Sequence, residues 1–583
     1  MKRKAALLLA GCVFLAACSG GGGTASSTAS SQAAEEVSQA QEETSQAETA
    51  ETEAEETPAD TAEGQYYSSF MDADPATLDI SLRADSYSSE IMLNTMEGLV
   101  RTGEENGSYV ILPALAETWE VNEDGTVWTF HLRDSVWEDG EKVTADQFVY
   151  SLRRSADPAT GSPSAFFLQP ILNFGEINAG EKPVEELGVE APDDNTLVIT
   201  LSQPTPSFMM MIDATVYYPQ REDKIAEFGD KSGSEAEYYI SNGPYRLESW
   251  VHNNSIVLVK NENYWDADNV SIETVTIKIM GDITTAYNAF QSGEIDSVYA
   301  EALEWRETFE AQGDCFPVDY PSASMGFATF NNKDELFSNV NMRKAFTLAI
   351  DLDEMNEMCF SGMRSPAQGW VCDSMSVEET NYRDRAGNMM QAMRDDMEAE
   401  GMTPQDVLLK GMEELGLGDD PSTLQVTMGI GGTDEWYRTL GEYLQQVWKT
   451  ELGVDVTIDY NEWGIFVDNI MTGNYQIGFL SWGAYYNDPY DVLSLYLTDL
   501  DMVMTGFSNA EFDALVTAAA SEMDLEKRIQ NYIDAEEILI RQECVVCPVA
   551  CAEAHYYYKN YVKGYATMNF NKIGLKGMST GER

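Results

Sequence analysis

Three residue types in this chain could do chemistry by kind and spacing: thiols, imidazoles and paired carboxylates. Cys544-x-x-Cys547-x-x-x-Cys551 has the separation of metal or cluster ligands. It lies, however, in the apolar run Cys544-Val545-Val546-Cys547-Pro548-Val549-Ala550-Cys551, which has strand character and no His or acidic residue between the thiols. That context predicts buried thiols or a disulfide and no bound metal. The three imidazoles, His131, His252 and His555, are scattered, and none stands in a His-Glu-x-x-His spacing. No Gly-x-Ser-x-Gly elbow or phosphate-cradling loop is present. With 99 Asp and Glu in the chain, no single pair is marked as acid and base. These residues predict binding without catalysis, and no cofactor. A different stretch offers contact chemistry. Between Lys449 and Lys527 there is no Lys or Arg, but Trp463, Trp482, Tyr485, Tyr486 and Tyr490 supply rings. Such rings hold apolar or planar groups, sugars and cations.

One further cysteine, Cys18, has a chemistry set by its place. Lys2, Arg3 and Lys4 precede an apolar run from Ala5 to Ala17, too short to span a bilayer as a structural helix. Leu15-Ala16-Ala17-Cys18 resembles a bacterial lipoprotein cleavage site, which implies that residues 1–17 are removed and Cys18 is diacylated as the mature N-terminus. The chain is then anchored to the membrane on its outer face and does not span it.

Residues 19–64 carry eleven acidic side chains, no basic one and no aromatic. Such a segment cannot bury enough apolar surface to offset its ordering entropy, so 18–64 reads as the lipidated Cys and a tether. As a flexible coil it reaches roughly 35–40 Å. The formal charge of the whole chain is −64, from 35 basic and 99 acidic residues. An acidic body excludes nucleic acid and anionic lipid as partners. Beyond residue 65 no apolar run is long enough to cross a membrane, and the length calls for more than one domain. In an exported chain Cys359 with Cys372 would close a short loop, while spacing leaves the pairing of Cys315, Cys359, Cys372, Cys544, Cys547 and Cys551 open.

The elements that must position these residues follow from periodicity. A strand enters at 65, and a helix is predicted over Glu90–Val100 with Ile91, Thr95 and Leu99 on one stripe. Val127–Leu132 alternates as a strand, and Thr144-Ala145-Asp146-Gln147 is a capping box opening a helix that ends before Asp157-Pro158. Further strands are predicted over Thr196–Leu201, Ile256–Lys260 and Val275–Ile279, then a helix stopped at Gly293 and another over Arg343–Ile350. From Leu424 the pattern alternates: strand, helix Asp434–Thr450 with Trp436, Leu440, Leu444 and Trp448 inward, strand to Tyr460, helix after Trp463, strand Ile477–Trp482. Alternation of this kind argues for α/β units. Two helices and a strand over Cys544–Cys551 finish the region.

In order, the runs Leu112-Pro113-Ala114-Leu115-Ala116-Glu117-Thr118-Trp119, Phe130-His131-Leu132-Arg133, Trp137-Glu138-Asp139-Gly140, Asn242-Gly243-Pro244-Tyr245, Asn263-Tyr264-Trp265-Asp266, Phe290-Gln291-Ser292-Gly293-Glu294-Ile295-Asp296, Val340-Asn341-Met342-Arg343-Lys344-Ala345-Phe346 and Asn487-Asp488-Pro489 resemble the oligopeptide and dipeptide solute-binding proteins of ABC importers. The resemblance covers about Asp74 to Tyr561. It implies an α/β, two-lobed, type II periplasmic-binding-protein-like fold with an extra domain and a hinge. Lobe I would take 65–90, 202–327 and 550–583, the extra domain 91–201, and lobe II 328–549. The hinge would be crossed near Phe327–Phe330 and Pro548–Ala554.

It further implies a monomer that captures an oligopeptide between its lobes and delivers it to ABC permease subunits. In the family an Asp four residues before the Pro of Asn-Asp-Pro pairs with the peptide's α-amino group. Here that position holds Tyr485, so Asp488 or another carboxylate takes the role, or the ligand presents no ammonium there. The expected lining is Trp463, Trp482, Tyr485, Tyr486 and Asp488, with Ser86 or Tyr87 approaching from the other lobe. A non-peptide solute (oligosaccharide, metal complex or signal molecule) or a sensing role is the alternative on the same fold.

Overall fold

The computed structural model describes residues 65–105, 108–564, 568–569 and 572–583. The signal, Cys18 and the acidic tether lie outside the described residues. Strand β1 (Gln65–Met71) leads to helix α1 (Ser86–Thr95), whose N-terminus Asp85 caps by accepting from Ser88 N. The helix therefore starts before the Glu90 read from periodicity and stops at Thr95, leaving Leu99 outside it. Next comes an antiparallel sheet of β2 (Ala116–Val121), β3 (Val127–Leu132), β4 (Val189–Asp193) and β5 (Thr196–Thr200) in the order β2-β3-β5-β4. Helix α2 (Ala145–Ala156) carries the expected capping box. Strands β6 (Tyr245–Val251), β7 (Ser255–Lys260) and β8 (Ile272–Ile279) then return to β1, in the order β1-β8-β7-β6.

Helix α3 (Ile283–Ser292) ends at Gly293, whose φ of +79° closes the helix in the left-handed region. Strand β9 (Ser297–Tyr299), helix α4 (Leu303–Gln312) and the long strand β10 (Cys315–Phe330) follow. The second half of the body begins with α5 (Val340–Leu348) and β11 (Arg364–Pro366). It continues with β12 (Val426–Ile430), α6 (Glu435–Glu451), β13 (Val456–Tyr460), α7 (Trp463–Thr472) and β14 (Ile477–Gly483). Helices α8 (Pro489–Leu493), α9 (Ala510–Ser521) and α10 (Leu525–Glu537) precede β15 (Val546–Lys559). Of the inward face expected for α6, Leu440, Leu444 and Trp448 are buried, while Trp436 is only partly covered.

Two large apolar cores organise the molecule. One runs from Ala323 to Cys551 and fills the second lobe. The other joins Tyr67, Ile256 and Val275 of the first lobe with Phe130, Leu152 and Ile199 of the 91–201 region. The extra domain thus shares a continuous core with lobe I, because the stripe of α2 and the inner face of the β2–β5 sheet need apolar cover that their own residues do not supply.

Strands β10 and β15 belong to both halves. They pair antiparallel from Cys315↔Lys559 to Thr329↔Val546, with a register break between Pro321↔Glu553 and Met325↔Cys551. On one side of the break they pack into the first lobe, on the other into the second. A second break, between Gly326 and Phe327, lies beside the Phe327–Phe330 at which the crossing is expected from sequence. Strand β15 runs on well past Cys551, because its far half pairs with β9 at the edge of a seven-stranded sheet ordered β9-β15-β10-β14-β12-β13.

Arg343 ties the start of this return strand to α5. It is 3% exposed, and its guanidinium donates to Phe337 O at 2.6 Å, Glu543 O at 2.6 Å and Cys544 O at 3.1 Å. Replacing Arg343 by Met strands these carbonyls, at a cost of about 3 kcal/mol or more. Lys cannot reproduce the planar fork. Denaturant unfolding of Arg343→Met and Arg343→Lys should show both destabilised, with little rescue by Lys.

Candidate binding site

Strands β12 and β13, and β12 and β14, pair parallel, so all three carboxyl ends open on the same edge. That edge is where α/β sheets form their ligand crevices. It gathers three loops: Gly431–Asp434, Asn461–Glu462 and Ala484–Asp488.

Trp463 starts α7, half-buried, with its ring 5.8 Å from Phe466. A Cβ on Gly431 would come within 2.5 Å of Phe466 and 2.7 Å of Trp463, so this glycine makes room for the two rings. Trp482, at the end of β14, is 7% exposed, and its buried Nε1 finds no hydrogen-bond partner among the described residues. Its ring meets Tyr485 edge-on at 6.3 Å.

Tyr485 projects from lobe II onto the extra domain, 5.2 Å from Phe166 and 5.7 Å from Phe167. Its backbone N donates to Asp491 Oδ2 at 2.6 Å. Tyr486 is buried in the lobe I core although it belongs to a lobe II loop. The loop after β14 therefore bridges the two halves, with its rings in contact across the boundary between them.

Asp488 has a different place. It is 2% exposed, caps α8 by accepting from Tyr490 N at 2.9 Å, and accepts from Tyr532 OH at 2.8 Å. Burial raises its pKa while Arg528 opposes the shift. These contacts lie within lobe II, so the geometry makes Asp488 a helix cap and gives no support to it as the replacement for the missing amine partner. Ser86 and Tyr87 open α1, both half-buried, and Tyr87 packs against the lobe I core.

Sequence reasoning missed the buried charged groups of lobe I, of which Arg83 interacts with Tyr485 of this loop. Arg83 is 6% exposed and donates to Ser89 Oγ at 2.7 Å and Ser164 Oγ at 3.1 Å, with Nε buried and unpartnered among the described residues. Burial lowers its pKa to about 10, partly offset by Asp85, Tyr218 and Tyr485. It is a cation on the side where lobe II offers none. Glu90 on α1 has its pKa raised to about 7, first by burial and then by Asp72. Glu301 is raised by burial and by the same Asp72. None of Asp72, Glu90 and Glu301 is in an ion pair among the described residues. Beside them Tyr299 stacks on Phe70 at 5.2 Å. No spacing rule links residues 72, 90 and 301, which is why the sequence did not flag them. No group of His, Cys, Asp or Glu among the described residues is arranged to hold a metal ion.

Asp491 couples the bridging loop to pH. Burial raises its pKa from 3.8 to about 8, with the Tyr485 N–H opposing and Asp488 adding to the rise. The folded state then holds a proton that the unfolded chain has released, so this group's contribution to stability falls as pH climbs from about 4 to 8. Asp491→Asn keeps an acceptor for Tyr485 N and removes the titration. Its melting temperature should match wild type near pH 4 and exceed it by several degrees at pH 8.5. A gap that does not change with pH would refute this assignment.

Against known proteins, residues 110–502 match the family model described as bacterial extracellular solute-binding proteins, family 5 middle. The chain is 31% identical over 505 residues to the dipeptide-binding protein DppE of Bacillus subtilis, covering 86% of this chain and 90% of that one. It is 30% identical over 523 residues to the probable deoxycholate-binding periplasmic protein YgiS of Escherichia coli, covering 88% and 93%. Among solved structures, the substrate-binding domain of an oligopeptide ABC transporter from Bacillus anthracis superposes with a TM-score of 0.71 at 28% identity, over 89% of this chain and 99% of that one. Two lobes, two cores and two crossing strands agree with these likenesses. The chain belongs to the family 5 bacterial extracellular solute-binding proteins and has their two-lobed type II fold.

Proposed function

We propose that this protein captures a peptide between its lobes and delivers it to an ABC importer, held at the outer face of the membrane by acylated Cys18. The observation that carries the reading is the loop after β14. Tyr485 and Tyr486 leave lobe II and pack against Phe166, Phe167 and the lobe I core. A ligand held beside such a loop gains contacts with both halves at once, and differential contact in the shut state is what drives closure of a hinged protein. Trp463, Trp482, Tyr485 and Tyr486 form the aromatic side of the proposed site, with Ser86 and Tyr87 opposite. Asp72, Glu90 and Glu301 take the peptide's ammonium in place of the Asp that Tyr485 replaces. Arg83 receives a carboxylate or carbonyl.

The aromatic wall and the deoxycholate-binding name of one relative favour a second reading, a bulky apolar solute in the same cleft. Native mass spectrometry of the protein as purified separates the two: retained short peptides support the first, a single non-peptide mass the second.

With peptides so identified, calorimetry should show Tyr485→Ala binding about ten-fold more weakly or worse, as expected for loss of one well-packed ring. Glu90→Gln, and N-acetylation of the peptide, should each weaken binding, and the two losses should not add. Full affinity for acetylated peptides would remove the carboxylate group from the site.

A further inference from the structure

Two thiols far apart in sequence meet where β15 crosses between the lobes. Cys372 Sγ and Cys551 Sγ are 2.6 Å apart. Non-bonded heavy atoms rest at roughly 3.5–4 Å, and a disulfide bond spans about 2 Å, so the sulfurs are closer than two independent thiols settle. Both residues are buried, at 2% and 4% exposed.

Each sulfur is presented by a rigid frame. Cys551 sits at the register break of the long strands, opposite Met325 on β10 and Ser365 on β11. Cys372 follows Val371, whose N–H donates to Glu536 Oε1 at 2.9 Å and whose carbonyl accepts from Arg383 at 2.6 Å. Arg383 and Glu536 are themselves a buried ion pair at 2.7 Å. The Ala367 N–H donates to Val549 O at 2.9 Å and lays the start of this loop along β15.

The same geometry disfavours a bond between neighbouring thiols of the return strand. Cys547 and Cys551 lie four residues apart on one strand, about 13 Å at strand rise, beyond the reach of a disulfide. Cys544 Sγ contacts Thr347 Oγ1 at 3.3 Å, and Cys315 Sγ contacts Phe309 O at 3.2 Å.

We propose that Cys372 and Cys551 form a disulfide that bolts the lobe-crossing strand to the second lobe. It forms by exchange: one thiolate attacks the disulfide of an exported oxidoreductase and releases one of its thiols. The second cysteine then attacks the mixed disulfide and releases the other. Two electrons and two protons pass to the oxidant, whose disulfide becomes a dithiol. Since burial holds the Cys372 thiol protonated in the finished fold, exchange belongs to folding, while the loop is still open. The bond then fixes one flank of the crossing and confines lobe motion to the other.

The test uses the full chain exported through an oxidising compartment, denatured in iodoacetamide without reductant and digested with trypsin. Peptide 365–383 carries Cys372, and peptide 542–559 carries Cys544, Cys547 and Cys551, so fragmentation must place the link. The expected result is a joined species, two hydrogens lighter than its parts, with the bond at Cys551 and with Cys544 and Cys547 alkylated. Alkylated Cys372 and Cys551 in unreduced protein, or a link from Cys372 to any other cysteine, overturns the proposal. A reductant should lower the melting temperature of wild type and of Cys359→Ser by about 5 °C or more. It should leave Cys372→Ser/Cys551→Ser unmoved, and the peptide map decides the matter if that variant does not fold.

Discussion

Backbone pairing between β10 and β15 is the constraint on which the molecule hangs. The two strands pair along their length at the centre of one seven-stranded sheet that runs from β9 on the first-lobe side through β15, β10, β14 and β12 to β13 in the second lobe. The register break at residues 322–324 twists that pair, as an irregularity of this kind does. It lets one half face the first-lobe core and the other half the second. Two strands joined side by side resist shear yet bend across a bulge, which suits the lobe closure proposed above.

From that crossing the binding edge follows. Strand β14 pairs with β10, and its end delivers the loop Ala484–Asp488 to the interlobe boundary. Three buried groups set the loop's shape: Asp488 as a cap, Asp491 accepting from Tyr485 N, and Tyr532 donating to Asp488. Keeping these polar groups paired inside lobe II leaves the rings of Tyr485 and Tyr486 to cross to the other side. Charge is then concentrated on lobe I, where Arg83 and the Asp72, Glu90 and Glu301 carboxylates stand on elements of unrelated sequence position. The proposed site thus takes its aromatic groups from lobe II and its charged groups from lobe I.

Much of the framework was legible from local pattern. The capping box at Thr144, the Gly293 stop, the inward face of Leu440, Leu444 and Trp448 and the alternating strands after Leu424 all depend on neighbours within a turn or two. One error was local: the stripe through Leu99 sets the start of α1 too late, since the Asp85 cap opens the helix at Ser86. Others came where distant contacts override local preference. The strand after Cys544 was read too short, because its second half is held by β9 and β10. Asp488, one of the carboxylates offered from sequence for the amine-binding role, lies buried as the cap of α8 and accepts from Tyr532, a partner that no local pattern announces.

The order of the short runs from Leu112 to Pro489, their spacing and the scarcity of catalytic spacings were enough, from sequence alone, to set the family, the two-lobed class and a binding function. Only the tertiary structure decided that Asp72, Glu90 and Glu301 come together, which side of the long strands each lobe occupies, and which sulfur faces Cys551. The division has a physical cause. Capping, periodicity and turn chemistry are interactions between residues close along the chain, whereas residues 72, 90 and 301, or 372 and 551, are neighbours only because two cores and two shared strands fold the chain back on itself.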